Sequence, residues 1–217
     1  MKIYIAGDYG VGYAYWLLDY YKDSAITRNI DEADLVMFTG GADINPSIYG
    51  EKTSETYWGN EARDKVEIEV FEAAVELGIP MIGICRGLQL ICALCGGKVI
   101  QDVSNHAGSS HNIIFKDGFQ CITTSLHHQM VYPFDLPKEN YSIEAWGIER
   151  RSTRYINGED KQYEVIPPVE PEVVLFFKDK NNNPVKCLGV QGHPEMMKFG
   201  DFHKKLIELI NNNLLNK

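Results

Sequence analysis

One cysteine of this chain stands where a thiol can act as a nucleophile. Cys85 follows an apolar run, Ile79 to Ile84, and a helical pattern begins at once with Leu88, Leu90, Ile91 and Leu94. Gly83 and Gly87 bracket it, so the order is strand, sharp turn, helix, the local geometry of a nucleophile elbow. Glycines on either side let strand and helix approach closely. The N–H groups that open the helix point at the sulfur and favour thiolate over thiol. The chemistry this allows is attack on a carbonyl carbon, the first step of a cysteine hydrolase.

Such a nucleophile needs a base, and the base needs an orienting group. Six histidines compete: His106, His111, His127, His128, His193 and His203. Only His193 sits beside a carboxylate in a rigid setting, in Gln191-Gly192-His193-Pro194-Glu195. Pro194 biases His193 toward extended backbone, where residues two apart face the same way, so Glu195 can reach the imidazole. A Gly40-Gly41 pair follows a second buried run, Asp34–Phe38. It reads equally as a plain turn or as a loop whose N–H groups serve an anion.

The elements that must position these groups alternate. Strands are predicted at Lys2–Ala6, Asp34–Phe38 and the run before Cys85. Helices are predicted through the aromatic stretch ending at Tyr21, over Ala62–Leu77 with Val66, Val70, Phe71, Ala74 and Leu77 on one face, and after the elbow. Strand-helix-strand alternation signifies a parallel α/β sheet, with active sites at the carboxyl ends of its strands. The second half is β-rich: Lys98–Val103, Ile113–Phe115, Cys121–Thr124, Ser142–Trp146, and a hairpin of Val173–Phe177 with Val185–Gln191. Arg150–Glu172 reads as a surface excursion, and Asp201–Leu215 as a helix packed on the sheet. The expected fold is an open, mostly parallel (mixed) central sheet flanked by helices, one domain over residues 1–217.

A net charge of −9 argues against a nucleic-acid-binding face, and the short Arg150, Arg151, Arg154 cluster does not reverse it. No apolar run approaches the ~18 residues of a membrane span, and Met1-Lys2 leads directly into a strand rather than a signal segment. Five cysteines, an odd set, fit a reducing cytoplasm better than a disulfide framework. The glycines at 7, 10 and 12 do not have dinucleotide-binding spacing, so no cofactor is expected.

Ordered motifs carry a family resemblance. They are TGGADINPSIYGE from Thr39, Arg63-Asp64 with Glu67, GICRGLQ from Gly83, CALCGG from Cys92, Gln101-Asp102, SLHHQ from Ser125 and GVQGHPE from Gly189. Together they resemble the class I glutamine amidotransferase-like hydrolases, of flavodoxin-like fold, and within them the γ-glutamyl-γ-aminobutyrate hydrolase branch. The resemblance implies an amidase in which Cys85 forms a γ-glutamyl thioester, His193 moves the protons and Glu195 orients His193. It also implies an oxyanion hole from the backbone N–H groups of Gly41 and Arg86. By the same resemblance Gln89 and the backbone of Ser125, Leu126, His127 and His128 hold the glutamyl end of a small γ-glutamyl substrate. Members usually carry a bulky aromatic before the catalytic histidine. Gly192 here leaves the base less buttressed or opens space beside the leaving group.

Rival readings attach to the same residues. Cys92 and Cys95 form a C-x-x-C but fall late in their helix, so they read as core thiols. His127 and His128, with His106 and His111, offer zinc-type donors. Adjacent strand residues face opposite ways, however, and no set has accepted ligand spacing, so no metal is expected. Three functions compete: a standalone γ-glutamyl amide hydrolase, a glutaminase subunit delivering ammonia to a synthase partner, and a non-enzymatic binding relative. Tyr13, Tyr15 and Trp16, read as exposed aromatics, would suit a homodimer interface.

Overall fold

The computed structural model describes residues 1–8, 10–54, 58–158, 161, 162 and 166–215. Its strands are β1 (Lys2–Ile5), β2 (Ala25–Thr27), β3 (Leu35–Phe38), β4 (Met81–Ile84), β5 (Lys98–Ile100), β6 (Asp102–Val103), β7 (Ala107–Phe115) and β8 (Gln120–Leu126). They continue with β9 (Met130–Tyr132), β10 (Tyr141–Gly147), β11 (Tyr155–Asn157), β12 (Lys161–Gln162), β13 (Pro171–Lys178) and β14 (Pro184–Val190). The α-helices are α1 (Tyr15–Tyr20), α2 (Glu61–Leu77), α3 (Arg86–Leu94) and α4 (Asp201–Leu209), the last running on as a π-helix over Ile210–Leu215.

Nine strands form one sheet in the order β2-β1-β3-β4-β14-β13-β10-β7-β8. From β2 to β14 every neighbouring pair is parallel, and from β14 to β8 every pair is antiparallel. The sheet is thus mixed, as expected, with a parallel half and an antiparallel half. Central strands are apolar throughout because both faces are covered. Val36, Phe38 and Met81 pack with α2 and α3 on one face. Leu35, Met37, Ile82 and Ile84 pack with α1 and α4 on the other.

Several boundaries differ from the sequence pattern. Lys98–Val103 is two strands in different sheets, β5 pairing with β9 and β6 joining β11 and β12. β7 runs six residues earlier than the apolar trio Ile113–Phe115, because backbone pairing with β8 carries a polar segment that periodicity does not mark. The excursion forms the small sheet β12-β11-β6 and ends before Pro171, where β13 begins. Its residues 159, 160 and 163–165 lie outside the described residues, as do Tyr9 of the glycine loop and residues 55–57.

Two readings are corrected by burial. On α2, Val66 and Leu77 are 41% and 48% exposed, while Arg63, Asp64 and Glu67 are buried. The buried side of its first turns is an ionic contact, so apolar periodicity misplaced it. Trp16 is core rather than interface, its ring edge-on to His203, and Tyr13 turns toward His193. Of the three aromatics, Tyr15 is exposed.

Candidate active site

Three adjacent parallel strands deliver the site. The carboxyl end of β4 carries Cys85, that of its neighbour β14 leads to His193, and that of its other neighbour β3 leads to Gly40-Gly41. Ile84 stands opposite Val190, and the Cys85 N–H donates to the Val190 carbonyl at 2.7 Å. Cys85 and the segment leading to His193 are brought together by strand register.

Cys85 has φ 51° and ψ −106°, a strained conformation for a residue with a Cβ and typical of functional positions. Close packing holds the elbow in place. A Cβ on Gly83 would lie 2.4 Å from the Gly87 carbonyl carbon, and one on Gly87 would lie 2.2 Å from the Phe38 carbonyl oxygen. α3 therefore touches β3 and β4 backbone to backbone, and its first turn stands under the sulfur.

His193 Nδ1 lies 2.6 Å from Glu195 Oε1, both side chains being buried. Burial opposes a charged imidazole, but hydrogen bonding and charge from Cys85 and Glu195 outweigh it and raise the pKa of His193 to about 10. His193 thus holds a proton beside the sulfur across the ordinary pH range. The backbone N–H of His193 donates to Thr124 Oγ1 at 2.7 Å. The space expected at Gly192 is filled, since a Cβ there would lie 2.1 Å from Thr123 Oγ1. β8 supplies two threonines where an aromatic was missed, so His193 is buttressed from the sheet and no gap opens in that direction.

The Gly40-Gly41 loop is held by a buried ionic staple. Arg63 Nη1 donates to the Gly40 carbonyl at 3.0 Å, and Nη2 donates to the Thr39 carbonyl and hydroxyl, each at 3.0 Å. Its Nε donates to Glu67 Oε1 at 2.8 Å. Glu67 and Asp64 also bind the guanidinium of Arg86. Two cations and two anions thus join the loop, α2 and the first residue of α3 into one unit. The Arg86 side chain is spent in this network, which leaves its backbone N–H, the first of α3, as what it offers the site. Gly41 has φ 142°, and a Cβ there would lie 2.3 Å from Arg63 Nη1.

The far wall comes from β8 and the turn after it. Gln89 Nε2 donates to the Gln129 carbonyl at 3.3 Å. The Ser125 hydroxyl donates to the His106 carbonyl at 2.8 Å. His127 is buried with Nδ1 2.8 Å from the Gln129 carbonyl, and burial, with His106 nearby, lowers its pKa well below the usual value. His128, in the same turn, has Nε2 3.1 Å from Asp43 Oδ1. That hydrogen bond raises its pKa against the opposing effect of burial. The His127 N–H and the His128 carbonyl are already used, by the His106 carbonyl and the Val103 N–H. Leu126 is exposed.

Sequence reasoning missed three neighbours. Gln191 Nε2 lies 3.7 Å from Cys85 Sγ. Thr124 accepts the His193 N–H. Tyr13 has its ring centroid 6.1 Å from that of His193, and burial, then the charges of Glu195 and Cys85, raise the pKa of its hydroxyl. Gln191 stood within the quoted GVQGHPE segment and could have been found. Nothing in the spacing of Tyr13 or Thr124 marks them. Cys92 and Cys95 are core, Cys92 with its thiol pKa raised by burial, as their place late in α3 implies.

This sheet, with its elbow and staple, is the class I glutamine amidotransferase fold. A glutamine amidotransferase from Thermotoga maritima matches over 97% of this chain and 82% of its own, with TM-score 0.55 and 15% identity. Residues 9–195 match Peptidase C26, and the chain belongs to that family. The glutamine amidotransferase-like protein YvdE of Lactococcus lactis subsp. lactis is 26% identical over 210 residues, 93% of this chain and 83% of that protein. The glutamine-hydrolysing GMP synthase of Clostridium novyi is 30% identical over 179 residues, 80% of this chain but 31% of its own length.

Proposed function

We propose that this protein is a cysteine amidase that hydrolyses the γ-glutamyl amide bond of glutamine or of a γ-glutamyl amine. The observation that carries the reading is Cys85 at positive φ on the elbow after β4, with a His193–Glu195 pair 2.6 Å apart following the neighbouring strand β14. With the thiol proton on His193, Cys85 Sγ attacks the side-chain carbonyl carbon, and the carbonyl π pair moves onto oxygen. The N–H groups of Gly41 and Arg86 receive that oxyanion. Each such donor typically contributes about 2.7–4 kcal/mol to the barrier.

Collapse of the tetrahedral intermediate breaks the C–N bond while His193 gives its proton to the departing amine or ammonia. Water then attacks the γ-glutamyl thioester, His193 takes its proton as base, and the C–S bond breaks to release the Cys85 thiolate beside the protonated His193. Glu195 holds the imidazole in the required tautomer throughout. Gln89 and the Ser125–His128 segment form the wall against the glutamyl end. Five unpaired thiols support a reducing, cytoplasmic setting, and among the described residues no helix is long and apolar enough to cross a membrane.

A screen of γ-glutamyl amides, γ-glutamyl-γ-aminobutyrate included, with Cys85→Ala as control, tests this. Turnover by the isolated protein supports a standalone hydrolase. A second reading, a glutaminase subunit for a separate synthase, is favoured by likeness to the C. novyi GMP synthase, of which this chain matches about a third. Glutamine hydrolysis seen only with a partner supports that version. Binding of γ-glutamyl compounds by wild type without turnover or thioester would leave only a binding relative.

A further inference from the structure

Behind the β8 wall lies a buried cluster of side chains to which the mechanism gives no chemical step, His127 sharing only its backbone with the wall. Ligand atoms of His106, His127 and Glu172 lie within 4.8 Å of one another, and the three residues are 0%, 5% and 1% exposed. They come from the turn before β7, the turn after β8 and the start of β13. No sequence spacing could join them, and the adjacent pair His127-His128 gives only one member.

The hydrogen bonds fix what each group presents. His127 Nδ1 faces a carbonyl at 2.8 Å and so carries the proton, leaving a lone pair on Nε2, which is buried and has no partner. His106 Nδ1 lies 3.1 Å from Ser125 Oγ, whose own proton goes to the His106 carbonyl at 2.8 Å. That nitrogen is therefore the donor, so in the neutral ring His106 Nε2 also presents a buried lone pair. Both carboxylate oxygens of Glu172 are buried without a hydrogen bond. His111 Nε2 is 2.9 Å from Oε1 but off the line a hydrogen bond needs. Glu170 Oε2, 3.3 Å from His106 Nε2, accepts from the Arg151 N–H, while its Oε1 accepts from the Ser152 N–H and the Tyr155 hydroxyl.

Two imidazole lone pairs and a carboxylate thus converge, with a second carboxylate behind them. An acceptor-only cluster of this kind, buried, is costly unless a positive charge sits within it. The geometry points to a structural site for a divalent transition metal of the zinc type, ligated by His106, His127 and Glu172, with a water as fourth ligand. A tetrahedral ion holds such atoms at about 2.0–2.2 Å, which spaces them roughly 3.3–3.6 Å apart, a closure that small side-chain rotations supply. Ser125 and the Gln129 carbonyl supply the outer hydrogen bonds that orient metal-bound imidazoles. The ion would tie β13 to the wall, one strand away from Gln191, whose N–H donates to the Glu172 carbonyl at 2.8 Å.

The test is metal analysis of the full chain after equilibration with Zn²⁺ and removal of excess, with Co²⁺ spectroscopy to report coordination. The expected result is about one equivalent bound, with four-coordinate nitrogen–oxygen Co²⁺ bands. Glu172→Gln should weaken Zn²⁺ binding by at least about 100-fold, beyond the 10–100-fold of an outer-shell loss. Should Glu172→Gln fail to fold, His106→Asn gives the same readout. His128→Ala, which removes the only nearby surface imidazole paired with Asp43 and Asp102 among the described residues, should keep the equivalent. The proposal is overturned if wild type binds no ion, if Glu172→Gln or His106→Asn binds as wild type does, or if His128→Ala abolishes binding. No binding would mean that protons occupy the cluster instead.

Discussion

The two halves of the sheet build the site by different means. In the parallel half, three neighbouring strands end side by side, and their carboxyl ends alone bring the Gly40-Gly41 loop, Cys85 and His193 together. The precision there comes from backbone contact at Gly83 and Gly87 and from one buried ionic unit, Arg63, Asp64, Glu67 and Arg86. In the antiparallel half, the wall is made of side chains: threonines of β8 under His193, and buried imidazoles and carboxylates behind them. In the proposed mechanism the parallel half carries the reacting atoms, and the antiparallel half carries their support. Changes in the first should strike kcat, and changes in the second should strike stability or geometry.

The largest expected effect is loss of the nucleophile. Cys85→Ala should lower kcat by about 10⁴-fold or more with the fold retained by circular dichroism. Residual turnover at the wild-type rate would place the chemistry elsewhere.

Next comes the staple. Glu67→Ala leaves two guanidinium groups without their shared buried partner and should cost about 3–5 kcal/mol in denaturant unfolding. Arg63→Met separates stability from catalysis. It frees Thr39-Gly40-Gly41, so kcat should fall by about 10²–10³-fold, the cost of a misplaced oxyanion donor, with KM little changed. If KM rose and kcat held, the loop would be a substrate contact and not an oxyanion loop.

The third effect is electrostatic. His193 has its pKa raised from the usual 6.5 to about 10. Its contribution to stability is therefore complete below pH 6.5 and lost as the pH rises through about 10. Activity that needs the protonated imidazole should fall in that same alkaline range. Glu195→Gln and Cys85→Ala each remove one cause of the rise, so the His193 resonance should titrate at lower pH in both by NMR. An unchanged titration would separate His193 from the two groups.

The smallest effect lies in the antiparallel half. Gly192→Ala drives a methyl into Thr123 Oγ1 and should cost about 1–3 kcal/mol of overpacking. Thr123→Ala in the same chain should recover part of it, and absence of recovery would mean the β8 contact does not set the position of His193.

Legibility in the sequence follows the same division. The elbow, His193 and Glu195 were readable because each depends on local order: an apolar run, a turn, an extended X-Pro step. The parallel strands were readable because both faces are buried and the runs are continuous. The first turns of α2 misled, since Arg63, Asp64 and Glu67 bury charge where periodicity seeks apolar residues. β7 was read short because a polar strand held by pairing leaves no apolar signature. Tyr13, Thr124 and the His106–His127–Glu172 cluster meet only through tertiary packing, and no spacing announces it.

The central claim is that Cys85 is acylated by a γ-glutamyl group and that His193 governs both the formation and the loss of that thioester. Rapid acid quench of the protein with a γ-glutamyl amide, followed by peptide mass spectrometry, tests it directly. The account predicts a γ-glutamyl adduct on the Cys85 peptide in wild type and none in Cys85→Ala. Hydrolysis that proceeds with Cys85 unmodified at every time point, or that survives Cys85→Ala, would contradict it.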